Sequence, residues 1–155
     1  MKRTLPIGNI LISLVYTIIA VAILVAAMFA VPLEKETRIK VFLGGQEVVV
    51  SIADTPLLQE QGLSGHNPLG GKEGMLFVFD APEQTGFWMK DMGFPLDIIW
   101  FDQDQRIVDV WENASLDSYP EIVTPRAPAK FVLEVPAGFF AKYKLKTGNI
   151  LEITR

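Results

Sequence analysis

Met75-Leu76-Phe77-Val78-Phe79 is an unbroken run of five large apolar residues between Gly74 and Asp80. A run this short and this continuous reads as a β-strand buried on both faces, with a piece of buried helix as the alternative that pattern alone leaves open. Around it the spacing of apolar residues is two. Ile39, Val41 and Leu43 alternate with Arg38, Lys40 and Phe42, and Val48, Val50 and Ile52 repeat the pattern. Gly44-Gly45 between these runs is a hairpin turn signal. Further strands are predicted over Phe87–Lys90, Leu96–Phe101, Arg106–Trp111, Phe131–Val135 and Ile150–Ile153, with turns at Asp80–Glu83, Asp102–Gln105 and Gly148-Asn149.

Two short helices complete the count. Thr55-Pro56 offers an N-cap followed by proline at the first helical position, and Gly62 a stop. Ala137–Tyr143 forms the second. About eight strands joined mostly by short links predict a mostly β domain (α+β with minor helix), an antiparallel barrel or sandwich. Ser64–Gly74 is a glycine-rich loop. Asn113–Ala129, with Pro120, Pro125 and Pro128, is too long for a tight turn and is the expected functional loop.

The front of the chain is of another kind. No charged side chain lies between Arg3 and Glu34, and Ile10 to Val31 is apolar except for Ser13, Tyr16 and Thr17. As a helix these 22 residues reach roughly 33 Å, enough to cross a hydrocarbon core of about 30 Å. The organisation expected is therefore an N-terminal membrane anchor over 1–33, a charged connector over 34–38 and a β-rich domain over 39–155. The anchor would enter the membrane through residues 10–31. Lys2 and Arg3 place the N-terminus in the cytoplasm and the domain outside, in a single-pass cell-membrane protein. The alternative is a cleaved signal peptide, with Val25-Ala26-Ala27 as the site and a secreted or periplasmic product; the run is longer than a usual signal core of about 7–15 residues.

Of the 155 residues, 18 are acidic and 14 basic. All 18 acidic residues but only 12 basic ones follow position 33, which leaves that part near −6 and argues against nucleic-acid binding. There is no cysteine, so thiolate nucleophiles, CxxC redox pairs and cysteine zinc sites are excluded.

Five residues are candidates for chemistry. In an extended Phe87–Lys90, Trp88 and Lys90 share a side, where a ring can stack on a ligand and an ammonium can hold an anion; the plain alternative is a core Trp and a solvated Lys. Asp97 and Glu134 each interrupt an apolar strand. Together they would suit acid–base hydrolysis or a carboxylate metal site; the plain alternative is that both alternate outward to water. His66 is the single histidine. With Met75, Met89 and Met92 it has the donor types for Cu(I), though methionines in strands serve equally as apolar filling.

The runs Gly74–Phe79, Phe87–Lys90 and Pro95–Ile99, with Gln61–Gly65 and Leu133–Gly138, closely resemble the DUF192 (UPF0127) family over about Ile39 to Ile153. The resemblance implies a compact β-rich prokaryotic domain, often behind a signal or anchor, and supplies no activity. His66 stands where arginine is frequent in that family, and Asp91 where asparagine is. The function expected is that of a membrane-tethered, extracytoplasmic binding or accessory module with no resident cofactor, its ligand-binding residues drawn from Trp88, Lys90, Asp97, Glu134 and His66. Its partner would be a small ligand or a protein. Alternatives are a carboxylate-based hydrolase using Asp97 and Glu134, an envelope-assembly partner and a Cu(I)-binding module.

Overall fold

The computed structural model describes residues 7–29 and 37–154. The chain divides into two units, Met1–Lys35 and Glu36–Arg155. In the first, the apolar run forms a 23-residue helix, α1 (Ile7–Phe29). The Thr17 hydroxyl donates to the carbonyls of Ser13 (2.9 Å) and Leu14 (2.8 Å), so the polar atom is satisfied within the helix. Side chains of α1 are described over residues 12–25, a stretch of about 21 Å. Among the described residues no helix is long and apolar enough to cross a membrane. The expected connector over 34–38 lies, up to residue 36, outside the described residues.

The second unit is a curled seven-stranded half-barrel. The strands are β1 (Arg38–Leu43), β2 (Gln46–Ala53), β3 (Glu73–Glu83), β4 (Leu96–Phe101), β5 (Ile107–Ala114), β6 (Ala129–Pro136) and β7 (Leu151–Ile153). Their order across the sheet is β5-β4-β6-β3-β2-β1-β7. The sheet curls until its outer strands meet at one end, through an Arg106–Ile150 bridge. The β1–β2 hairpin turns on Gly44 and Gly45 at φ 57° and 75°, the doubly left-handed geometry that matches strand twist. Pairing is antiparallel throughout the described strands except between β2 and β3, which run parallel.

That parallel pair requires a crossover, and it contains helix α2 (Pro56–Gln61). Thr55 caps α2 by accepting from the Leu58 N–H at 3.4 Å, and Gly62 ends it at φ 52°. The Gln59 amide donates to the carbonyls of Ala53 (3.3 Å) and Val78 (3.0 Å), which ties the crossover to both strands it joins.

The run Met75–Phe79 is the expected two-sided strand. Met75, Phe77 and Phe79 enter one apolar cluster with Leu96, Ile98 and Trp100. Leu76 enters a second with Ile99, Phe101, Leu133 and Val135. The sheet thus has a core on each face. Gly74 leads into this run because nothing larger fits: a Cβ there would stand 2.6 Å from the Glu134 carbonyl oxygen and 3.2 Å from Val135 Cγ1. Gly74→Ala is expected to cost about 1–3 kcal/mol by forcing β3 off β6. Urea unfolding reads it, and an unmoved midpoint would show that the strands can part freely.

Several expectations are corrected. Phe87–Lys90 is not a strand: Phe87 makes one isolated bridge to Val123, and the neighbouring segment carries prolines that cannot donate to a ladder. Asp80–Glu83 is not a turn but the end of β3, reached past a register shift after Val78. β5 runs to Ala114, so the long loop is 115–128. Asp109 on β5 holds that loop, accepting from the Arg126 backbone N–H at 2.8 Å and from its guanidinium at 2.6–3.1 Å. The Arg126 guanidinium holds the Asp109 carboxyl below its ordinary range.

Candidate functional site

A pocket of about 270 Å³ opens on the first of the two cores. Its floor is Phe77 and Phe79 of β3 and Glu134 of β6. One wall is the crossover, Gln59 to Ser64. The other is the extended segment Thr85–Trp88, with Met92 beside it. The crossover reaches the opposite wall through two bonds: Ser64 Oγ donates to the Lys90 carbonyl at 2.9 Å, and the Gly65 N–H to the Asp91 carbonyl at 3.2 Å. Asp91 turns the chain there at φ 56°, a region that Asp and Asn tolerate better than most residues.

The aromatic side chains are packed edge to face. Phe87 meets Phe77 at 5.0 Å between ring centroids and Trp100 at 5.8 Å, both nearly perpendicular. Such pairs hold ring positions beyond what area burial alone provides.

Glu134 is the unusual group. It is 5% exposed, and its Oε2 is buried without a hydrogen-bond partner among the described residues. Burial disfavours the charged form and pushes the carboxyl up to about 8, so at pH 7 it is mostly the neutral acid. The backbone of Gly62 comes close to it: a Cβ there would lie 4.0 Å from Glu134 Oε2 and 3.4 Å from Phe77 Cζ. Those are ordinary contact distances, so it is the positive φ of 52° that calls for glycine at position 62.

The five sequence candidates part company here. Glu134 and Trp88 line the pocket, Trp88 from its rim at 44% exposure. Lys90 is exposed and is not among the lining residues, so it does not join Trp88 in this pocket. His66 is half-buried in the loop beyond the crossover, also off the lining.

Asp97 is fully buried on the other face of the sheet. In the β4–β6 register Asp97 opposes Val135, and Ile98 opposes Glu134. Opposed residues share a face, so the two carboxyls point to opposite cores. The acid–base pair of a hydrolase is thereby overturned, and so is the alternative that both face water. Asp97 is spent on structure: its oxygens accept the N–H groups of Asn113 (2.8 Å), Gly138 (3.1 Å) and Phe140 (2.7 Å). Met75 and Met89 are buried in the core cluster, as filling would be, and Met92 packs against it.

Sequence reasoning missed the crossover residues and Phe77, Phe79, Glu83 and Thr85 as pocket lining. The available signal was the run Gln61–Gly65, a capped helix ended by glycine beside an apolar Leu63.

The profile of the family described as DUF192, Uncharacterized ACR, matches residues 39–153. Solved structures similar to this chain include the following two. One is a protein of unknown function from Novosphingobium aromaticivorans DSM 12444, with 31% identity and a TM-score of 0.70, covering 78% of this chain and 89% of that one. The other is described as a candidate transcription regulator from Sinorhizobium meliloti 1021, with 31% identity and a TM-score of 0.72, covering 76% of this chain and 95% of that one. No curated protein matches the chain.

Proposed function

The chain belongs to the DUF192 family, and from that premise we propose that it is a membrane-tethered module that binds a small ligand in the pocket above Glu134. One observation carries the binding half: a buried carboxyl with an unpartnered oxygen lines an open pocket. Leaving such a group without a partner costs about 1–3 kcal/mol, a cost that a ligand's polar group removes. The pocket's size, near the low end for small-molecule sites, favours a compact ligand.

The tether rests on the sequence: residues 10–31 are apolar but for Ser13, Tyr16 and Thr17, inside a stretch of thirty residues free of charge. Lys2 and Arg3 favour an N-terminus in the cytoplasm and a ligand-binding domain outside. The description of the Sinorhizobium structure as a regulator of transcription is not carried over, because 18 acidic residues against 12 basic ones after position 33 disfavour a nucleic-acid partner.

Membranes from expressing cells provide the test. The full chain should stay with the membrane after an alkaline carbonate wash and, extracted in detergent, carry a small molecule in native mass spectrometry. Thr85→Trp, which fills the pocket, should lose the molecule and keep the membrane association. Release by carbonate overturns the tether; a bound molecule retained by Thr85→Trp, or none found in the wild type, overturns the pocket.

A further inference from the structure

The charges that reach the pocket all have one sign. Glu60 and Glu83 line it together with Glu134, and no lysine, arginine or histidine is among its lining residues. The apolar lining is largely aromatic, from Phe77, Phe79, Phe87 and Trp88. Ring faces attract cations and offer nothing to anions. A carboxyl oxygen without a hydrogen-bond partner completes the arrangement. Resting on the pocket reading above, we propose that this site selects an organic cation, an ammonium group on a small apolar body, with the aromatic rings beside the charge and the Glu134 carboxyl as its counter-ion.

The chemistry sets a linkage. A cation requires the ionised carboxyl, whereas the empty site holds mostly the acid at pH 7, since burial raises Glu134 to about 8. Binding therefore expels one proton from Glu134, and affinity rises with pH until the empty site is itself ionised. The neighbouring groups do not supply a competing cation among the lining residues. Glu60 on α2 and Glu83 at the end of β3 are acids. Glu73, at the start of β3, is engaged by Arg38 at 3.8 Å. Lys130, on the same face of β6, donates to the Asp80 carbonyl. On β4 the acid is Asp97, which lies on the other face.

Calorimetric titration of the full chain in a nonionic detergent tests this with three probes of similar size: benzyltrimethylammonium, whose charge is independent of pH, benzyl alcohol and benzoate. The cation should bind about tenfold or more tighter than the alcohol, and benzoate more weakly than either. Affinity for the cation should rise about tenfold from pH 6 to pH 7 and level off above about pH 8. Glu134→Gln should keep the fold, remove that rise and remove the preference for the cation. Trp88→Ala, at the rim, should weaken the cation while leaving the pH dependence in place. If all three probes bind alike and Thr85→Trp abolishes binding, the pocket stands and the cation is wrong. If no probe binds, or Thr85→Trp changes nothing, the pocket reading falls and the cation with it. A wild-type affinity for the cation that is flat with pH overturns the role of Glu134.

Discussion

Asp97→Ala should destabilise the domain by about 4 kcal/mol or more, a large share of the roughly 5–15 kcal/mol that holds a typical domain together. Asp97 is fully buried, and its carboxyl oxygens accept three backbone N–H groups, from Asn113, Gly138 and Phe140. Two of these belong to the start of α3 (Phe139–Lys142), whose N-cap Gly138 has no side chain to cap it. Asp97 does from a neighbouring strand what a capping serine does locally. The third fastens the end of β5. Alanine removes the acceptor of all three partly buried donors at once. Asn keeps one acceptor oxygen and should lose roughly half as much. Urea unfolding followed by tryptophan emission measures both, and a midpoint unchanged in Asp97→Ala would remove Asp97 as the hub.

Glu134→Met is expected to do the reverse at alkaline pH. The folded-state carboxyl titrates at about 8 against an ordinary 4.5. Between those values the unfolded chain has lost its proton while the folded one keeps it. Wild-type stability therefore falls as pH rises through this window and levels off above about 8, by something on the order of several kcal/mol in all. Methionine has no proton to keep, so the variant should lose this component of the slope and be the more stable protein at pH 8–9. Urea midpoints at pH 5 and pH 9 decide it. A wild type with the same pH dependence as the variant would show that Glu134 is solvated. A residue that weakens its own fold at neutral pH is what a binding site tolerates and a purely structural position does not.

Local chemistry made much of this fold legible. The Gly44-Gly45 hairpin, the Thr55-Pro56 cap and the two-sided Met75–Phe79 strand all depend on neighbours within a few residues. Asp97 and Glu134 show where that stops. Period-two spacing says that neighbouring side chains point to opposite faces. It does not say that both faces are covered, nor which residue of one strand stands opposite which of another. The register placing Asp97 against Val135 is decided by pairing across the sheet, and it separates the two carboxyls. In Phe87–Lys90 the alternation of buried and exposed residues is right, while strand character is missing because the facing loop carries prolines. The parallel β2–β3 pair had a signal in the helix between its strands, outweighed by the hairpins on either side.

The crossover that parallel pairing demands has a consequence for how the pocket is assembled. The segment from Thr55 to Lys72 spans the join between two adjacent strands and contributes one wall of the pocket through Gln59 to Ser64, while the sheet beneath holds the pocket's base. The pocket thus joins a wall outside the sheet to a base, Phe77, Phe79 and Glu134, that is part of the sheet itself. Substituting an exposed crossover residue such as Glu60 therefore alters one wall of the pocket while the strand pairing beneath it is untouched.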